Sequence, residues 1–259
     1  MNLNAKKFTV LVLPLLGGAA AMALSIVMRT TQMDENGLID RSAWTPIAIF
    51  AVLGIVTLAL ALLCRRLQCA ACDWQMLRFD AVDKVSVALL GLAILVSCGW
   101  NLSKGSDAVI TLASNILGLL AGAALLCQLF AAKHRPHFLT MLPICVWMIF
   151  RLIDDYQLWS RDPVLMNYCF GTLADVCAML AVYHIAGFFL GCGKARRSIF
   201  WCGMTLMLTI VSVGDTIVAG NGSRLSVLLG LLLWLLVWAI RLIFCRDEKP
   251  QEEKLADEA

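Results

Sequence analysis

The residues of this chain best placed to do chemistry are a few ionisable side chains set inside long apolar runs. Arg151, Asp154 and Asp155 fall in one run, Asp175 in the next and Asp215 in the one after. A charge in hydrocarbon is costly, so it is turned toward a partner, a ligand or water, and each of these residues is a candidate for binding or proton handling. Asp154 and Asp155 stand at i+3 and i+4 from Arg151, where an ion pair within one helix is available. Tyr168, Thr172, Asp175, Met179 and Tyr183 share a face at helical spacing and read as a polar stripe. With Asn115 and Asn167, these side chains would line an outward-opening polar cavity for a small solute. Arg151 would anchor an anionic group by charge-assisted hydrogen bonds while Asp175 titrates or binds a cation. The plainer alternative is structural, with Arg151 clamped to its own helix and a neutral Asp175 hydrogen-bonded to a neighbour.

The elements that position these groups follow from composition. Hydrophobic residues make up 61% of the 259, charged residues 15%, and mean hydropathy is +0.82, which leaves too little polar surface to cover a soluble fold. Apolar runs of about the length that crosses a bilayer occupy 8–28, 44–64, 85–102, 108–132, 138–159, 164–190, 199–219 and 225–245. They lack the period-two alternation of barrel strands, so the expected fold is all-α, a polytopic bundle of eight transmembrane helices. Residues 1–246 form its single transmembrane domain, and 247–259 an acidic, disordered tail. The first run exceeds the core of a secretory signal and is expected to be retained.

Of the 21 Lys and Arg, only Arg29, Arg41, Lys104, Arg151, Arg161 and Arg224 fall on one side of this arrangement. The excess on the other side puts both termini in the cytoplasm. Trp44, Trp100, Trp159 and Trp201 suit interfacial anchors, and Ser42, Asp107, Asp162 and Ser223 suit the starts of descending helices. If Trp159 marks the outer interface, Arg151 lies about 12 Å beneath it. On the same reckoning Asp215 lies about 6 Å below its outer end, beside Arg151 or Arg224, and Asp175 about 18 Å in, near the bilayer centre. Ser114, Gly118 and Gly122 recur every four residues and would let another helix of the same chain approach closely.

Other chemistries find less support. Cys69 and Cys72 form a lone C-x-x-C that Cys64 or Cys192 could complete as a metal site, but free thiols are the expectation among the 11 cysteines. Cys98 and Cys169 both fall toward the outer half, where a bridge could form, with buried apolar thiols the default. His134 and His137 sit in a basic loop, and His184 is nine residues from Asp175, too far for a dyad on one helix. No nucleophile elbow, metalloprotease helix, phosphate loop or dinucleotide fingerprint is present, so neither cofactor nor enzyme is expected. The cations rim a membrane and give no reason to invoke nucleic acid.

Arg151, Trp159-Ser160-Arg161-Asp162-Pro163, Tyr183-His184-Ile185-Ala186-Gly187-Phe188 and Gly193-Lys194-Ala195-Arg196-Arg197 together resemble an uncharacterised family of multi-pass membrane proteins from Gram-positive anaerobic bacteria. The resemblance spans the fifth to seventh runs and implies a bacterial plasma membrane, with no activity or functional residues attached. The leading expectation is transport or binding of a small polar solute, with the lipid bilayer as surroundings and no identified protein partner. A sensor or assembly subunit is the first alternative and an intramembrane enzyme the second.

Overall fold

The computed structural model describes residues 3–33, 43–67, 81–105, 108–130, 140–160 and 168–244. They hold eight helices: α1 (Leu3–Thr31), α2 (Thr45–Arg66), α3 (Ala81–Ser103), α4 (Val109–Phe130), α5 (Leu142–Trp159), α6 (Cys169–Phe189), α7 (Ala195–Ala219) and α8 (Gly222–Phe244). No strand occurs among the described residues. Seven of the helices are long and apolar enough to cross a membrane. The exception is α5, whose 18 residues include Arg151, Asp154 and Asp155. On α2 the side chains of Ile47, Phe50, Ile55 and Leu58 point outward and are exposed. An apolar exterior of that extent is untenable in water and natural in lipid, so the chain is a multi-pass membrane protein.

Several helices outrun the apolar segments that announce them. Helix α1 begins at Leu3 and ends at Thr31 rather than covering 8–28, and α7 begins at Ala195, among Lys194, Arg196 and Arg197, rather than at 199. Apolarity marks only the hydrocarbon width, while backbone hydrogen bonding carries a helix on into the polar boundary. Helix α5 is shorter than 138–159 and opens at Leu142, with Pro143 in its first turn, where a missing N–H costs nothing.

Helices α3, α4, α5, α6, α7 and α8 each pack on the next, and α8 returns to α3, which closes a six-membered ring. Helix α1 packs on α7 from outside the ring, and α2 covers α1 and α7. Helix α7 is therefore shared between ring and flank, and its two faces differ accordingly. A Cβ on Gly203 would strike Leu60, one on Gly214 would come within 2.5 Å of Met22, and one on Gly18 of α1 within 2.9 Å of the Met207 carbonyl oxygen. The glycines are where α1, α2 and α7 approach closely. On the opposite side of α7, Thr205, Thr209, Ser212 and Thr216 are spaced by four, three and four residues and are all buried.

The expected close-packing stripe on α4 does face other helices of the same chain. A Cβ on Gly118 would lie 2.3 Å from Cys98 Sγ on α3 and 2.7 Å from Trp147 Nε1 on α5, and one on Gly122 would lie 3.0 Å from the Gly91 carbonyl oxygen. Trp147, Trp234 and Trp238 belong to the larger apolar core, with Cys98 and Ile94.

Candidate functional site

Arg224 owes its position to a tight connection. Gly220 takes the left-handed conformation, φ 68°, that ends α7, and Asn221 follows as the N-cap of α8, its Oδ1 accepting the Arg224 N–H at 3.3 Å. Ser223, the expected cap, instead lies in the first turn and donates its hydroxyl to Asn221 Oδ1. Arg224 is thus fixed in the first turn of α8, where the helix dipole disfavours a cation and an anionic partner is needed.

Two carboxylates supply it. Arg224 Nη2 donates to Asp175 Oδ2 of α6 at 3.3 Å, and the same nitrogen lies 3.3 Å from Asp155 Oδ2 of α5. The other oxygen of Asp175 lies 3.6 Å from Arg151 Nη2, and the Arg151 guanidinium sits 5.4 Å from the centre of the Trp147 ring. Asp175, 4% exposed, therefore takes one arginine on each oxygen. Two cations and two anions from three helices balance one another, and Asp155 Oδ2 is buried with an ion-pair neighbour but no hydrogen bond among the described residues.

This differs in three respects from the arrangement expected of the sequence. Arg151 reaches across to α6 rather than pairing along its own helix, and Asp154 instead accepts a hydrogen bond from Thr111 Oγ1 of α4 at 2.6 Å. Asp175 follows the first residue of α6 by six positions, about 9 Å along the helix, so it lies in one half of the bundle rather than at its centre. Asp215 belongs to a separate cluster, accepting from Ser25 Oγ at 2.5 Å and from Arg29 Nε at 2.8 Å, because α7 runs beside α1 and not beside α5.

The remaining candidates are scattered. Asn115 is buried on α4, 6% exposed, and Tyr168 caps α6, with its carbonyl accepting the Thr172 hydroxyl. Tyr183 is 65% exposed, so the stripe expected on α6 does not stay inside the bundle. Asn167, Cys69 and Cys72, with the expected caps Ser42, Asp107 and Asp162, lie outside the described residues. Cys98 and Cys169 are free thiols. Among the described residues no three His, Cys, Asp or Glu side chains gather as metal ligands.

Two features of the structure were not foreseen from the sequence. At the end of the bundle opposite the quartet, Asp83 in the first turn of α3 pairs with Arg241 in the last turn of α8, so α8 carries a paired arginine near each end. Asp83 precedes its apolar run and Arg241 lies in the last turn of its own, and both read only as charges of the cytoplasmic side. The second is the hydroxyl face of α7. Thr216 and Thr205 spend their hydroxyls on carbonyls one turn back, but Thr209 Oγ1, Ser212 Oγ and Trp234 Nε1 of α8 are buried with no hydrogen-bond partner among the described residues. Counted from the end that carries the quartet, these residues lie about 10 to 18 Å along their helices, level with Asp175 or deeper. The 4-3-4 spacing of Ser and Thr was the signal that could have found them.

No protein-family profile, curated protein or solved structure matches this chain, so the buried ion quartet and the hydroxyl face beside it are what its function must be argued from.

Proposed function

We propose that this chain transports a small solute with an anionic group, and that Arg151, Asp155, Asp175 and Arg224 form the site that receives it. The observation that carries the reading is that two carboxylates share one nitrogen of Arg224 in a bundle surrounded by lipid. A buried ion cluster is a poor device for stability, since apolar side chains of similar volume usually serve as well or better. A site that exchanges partners has a use for it. A carboxylate or phosphate of the solute takes the place of Asp155 on Arg224, where the present contact lacks hydrogen-bond geometry. The displaced carboxyl group must then take up a proton or a cation, which couples solute to ion. The unpartnered hydroxyls of Thr209 and Ser212 and the Trp234 indole N–H offer the next polar contacts, deeper in the bundle.

In this reading α5 is the eighth span, its charges satisfied by α4, α6 and α8. The sparsely basic end that bears the quartet faces outward and both termini face the cytoplasm, as the distribution of Lys and Arg favours. The membrane is the plasma membrane of a bacterium. The test is uptake of radiolabelled phosphate, lactate and glutamate into proteoliposomes, with and without an imposed proton gradient. Accumulation of at least one of them, lost in Asp175→Asn, is the expected result. Absence of uptake for all three under both conditions would contradict a carrier of small anions.

A further inference from the structure

A second polar site lies at the same end of the bundle, apart from the quartet. A cavity of about 750 Å³ opens between the end of α3 and the α7–α8 turn, lined by Ser97, Trp100, Asn101, Lys104, Asn221 and Ser223, with Val96 and Ser226 beside them. Its polar lining includes several donors. Lys104 brings an ammonium group and Asn101 an amide, and among the described residues no acidic side chain lines the cavity. Gly222 and Ser223 begin α8, where backbone N–H groups have no partner within the helix and the dipole favours an anion. Neither N–H meets a backbone acceptor among the described residues. Ser97, only 7% exposed, lines the cavity with a hydroxyl that makes no hydrogen bond among the described residues. A hydroxyl held at the wall of a cavity with no protein partner is open to a ligand or to water.

We infer that this cavity binds a phosphate-type oxyanion, held by Lys104, Asn101, Ser97 and the first N–H groups of α8. The chemistry is shared by two sources, the headgroup of an anionic phospholipid and a dissolved phosphate. The exposed side chains of Leu89, Leu92, Val96 and Trp100 run along α3 toward the cavity, so a lipid whose headgroup sits there would find an apolar surface for its chains. The inference uses none of the quartet's residues and stands whether or not the chain is a carrier.

The experiment uses the full chain in a neutral maltoside detergent. One arm titrates inorganic phosphate by calorimetry, and the other measures by native mass spectrometry how much phosphatidylglycerol, relative to phosphatidylcholine, stays bound. Phosphate binding identifies a dissolved oxyanion as sufficient, and retained phosphatidylglycerol without phosphate binding identifies the lipid, with either outcome supporting the site. In the arm that responds, Lys104→Gln should weaken binding about tenfold, as loss of a charge-assisted contact does, and Ser97→Ala should weaken it severalfold. Arg65→Gln, at the opposite end of the bundle, should change nothing. Neither ligand bound, or binding unaltered by both cavity variants, would overturn the inference.

Discussion

The central residue is Asp175. Each of its oxygens faces an arginine, so its removal leaves two buried cations short of a partner rather than one. Asp175→Asn should lower stability by about 3 kcal/mol, read from denaturant unfolding in detergent micelles, because an uncompensated buried charge is far costlier than an absent pair. Adding Arg151→Gln should restore part of the loss, and the two substitutions should couple by about 1 kcal/mol or more in a double-mutant cycle. Additive effects would mean that the 3.6 Å approach contributes nothing to stability. Asp175, Arg151 and Asp155 were legible in the sequence because an ionisable group in an apolar run needs company. The arginine that the two carboxylates share was not. Arg224 stands one residue ahead of its run and reads as a flank, and only the Gly220-Asn221 turn fixes it against α5 and α6. Asp215 was assigned the wrong neighbour for a similar reason, since nothing in the order of helices reveals that α1 lies beside α7.

At the scale of the element, α7 is the part that makes the rest possible. Its glycine face lets α1 and α2 close on it, while Thr205, Thr209, Ser212 and Thr216 occupy the other face. The turn into α8 should be sensitive in proportion to its capping, and Asn221→Ala is expected to cost about 1 kcal/mol of unfolding free energy, whereas Ser223→Ala should cost less. Gly118→Ala addresses the ring differently. The new methyl group would meet Cys98 Sγ and the Trp147 indole, and Trp147 lies against Arg151. Overpacking there should cost about 1–3 kcal/mol and disturb the guanidinium, seen as a change in Trp fluorescence together with the fall in stability. Close packing along α4 was legible from the four-residue spacing of Ser114, Gly118 and Gly122. That α3 and α5 would fill it was not, because the spacing specifies a groove and not its occupant.

For the molecule as a whole, the ring α3 to α8 with α1 and α2 on its flank accounts for why charges gather at particular places. The far ends of α1, α5 and α7 and the starts of α6 and α8 come together, and there Arg29, Arg151 and Arg224 each meet an aspartate. The all-α class and the approximate places of the helices were readable from apolar length, since lipid imposes that length on every helix that crosses it. The ring order was not, because it depends on which faces fit. Orientation is testable directly. In cells expressing a variant otherwise free of cysteine, Lys104→Cys should react with a membrane-impermeant maleimide, and Arg196→Cys should react only after permeabilisation. The reverse pattern would place the quartet beneath the cytoplasmic surface.

The measurement that bears most directly on the quartet as a working site is uptake by the doubly neutralised Asp175→Asn, Arg151→Gln protein, with the solute that the wild type accumulates. Removing one charge of each sign keeps the cluster balanced, so the variant should still fold, as its unfolding midpoint will report. Uptake abolished in a folded double variant is the expected result. Uptake at the wild-type rate would show that these charges only hold helices together.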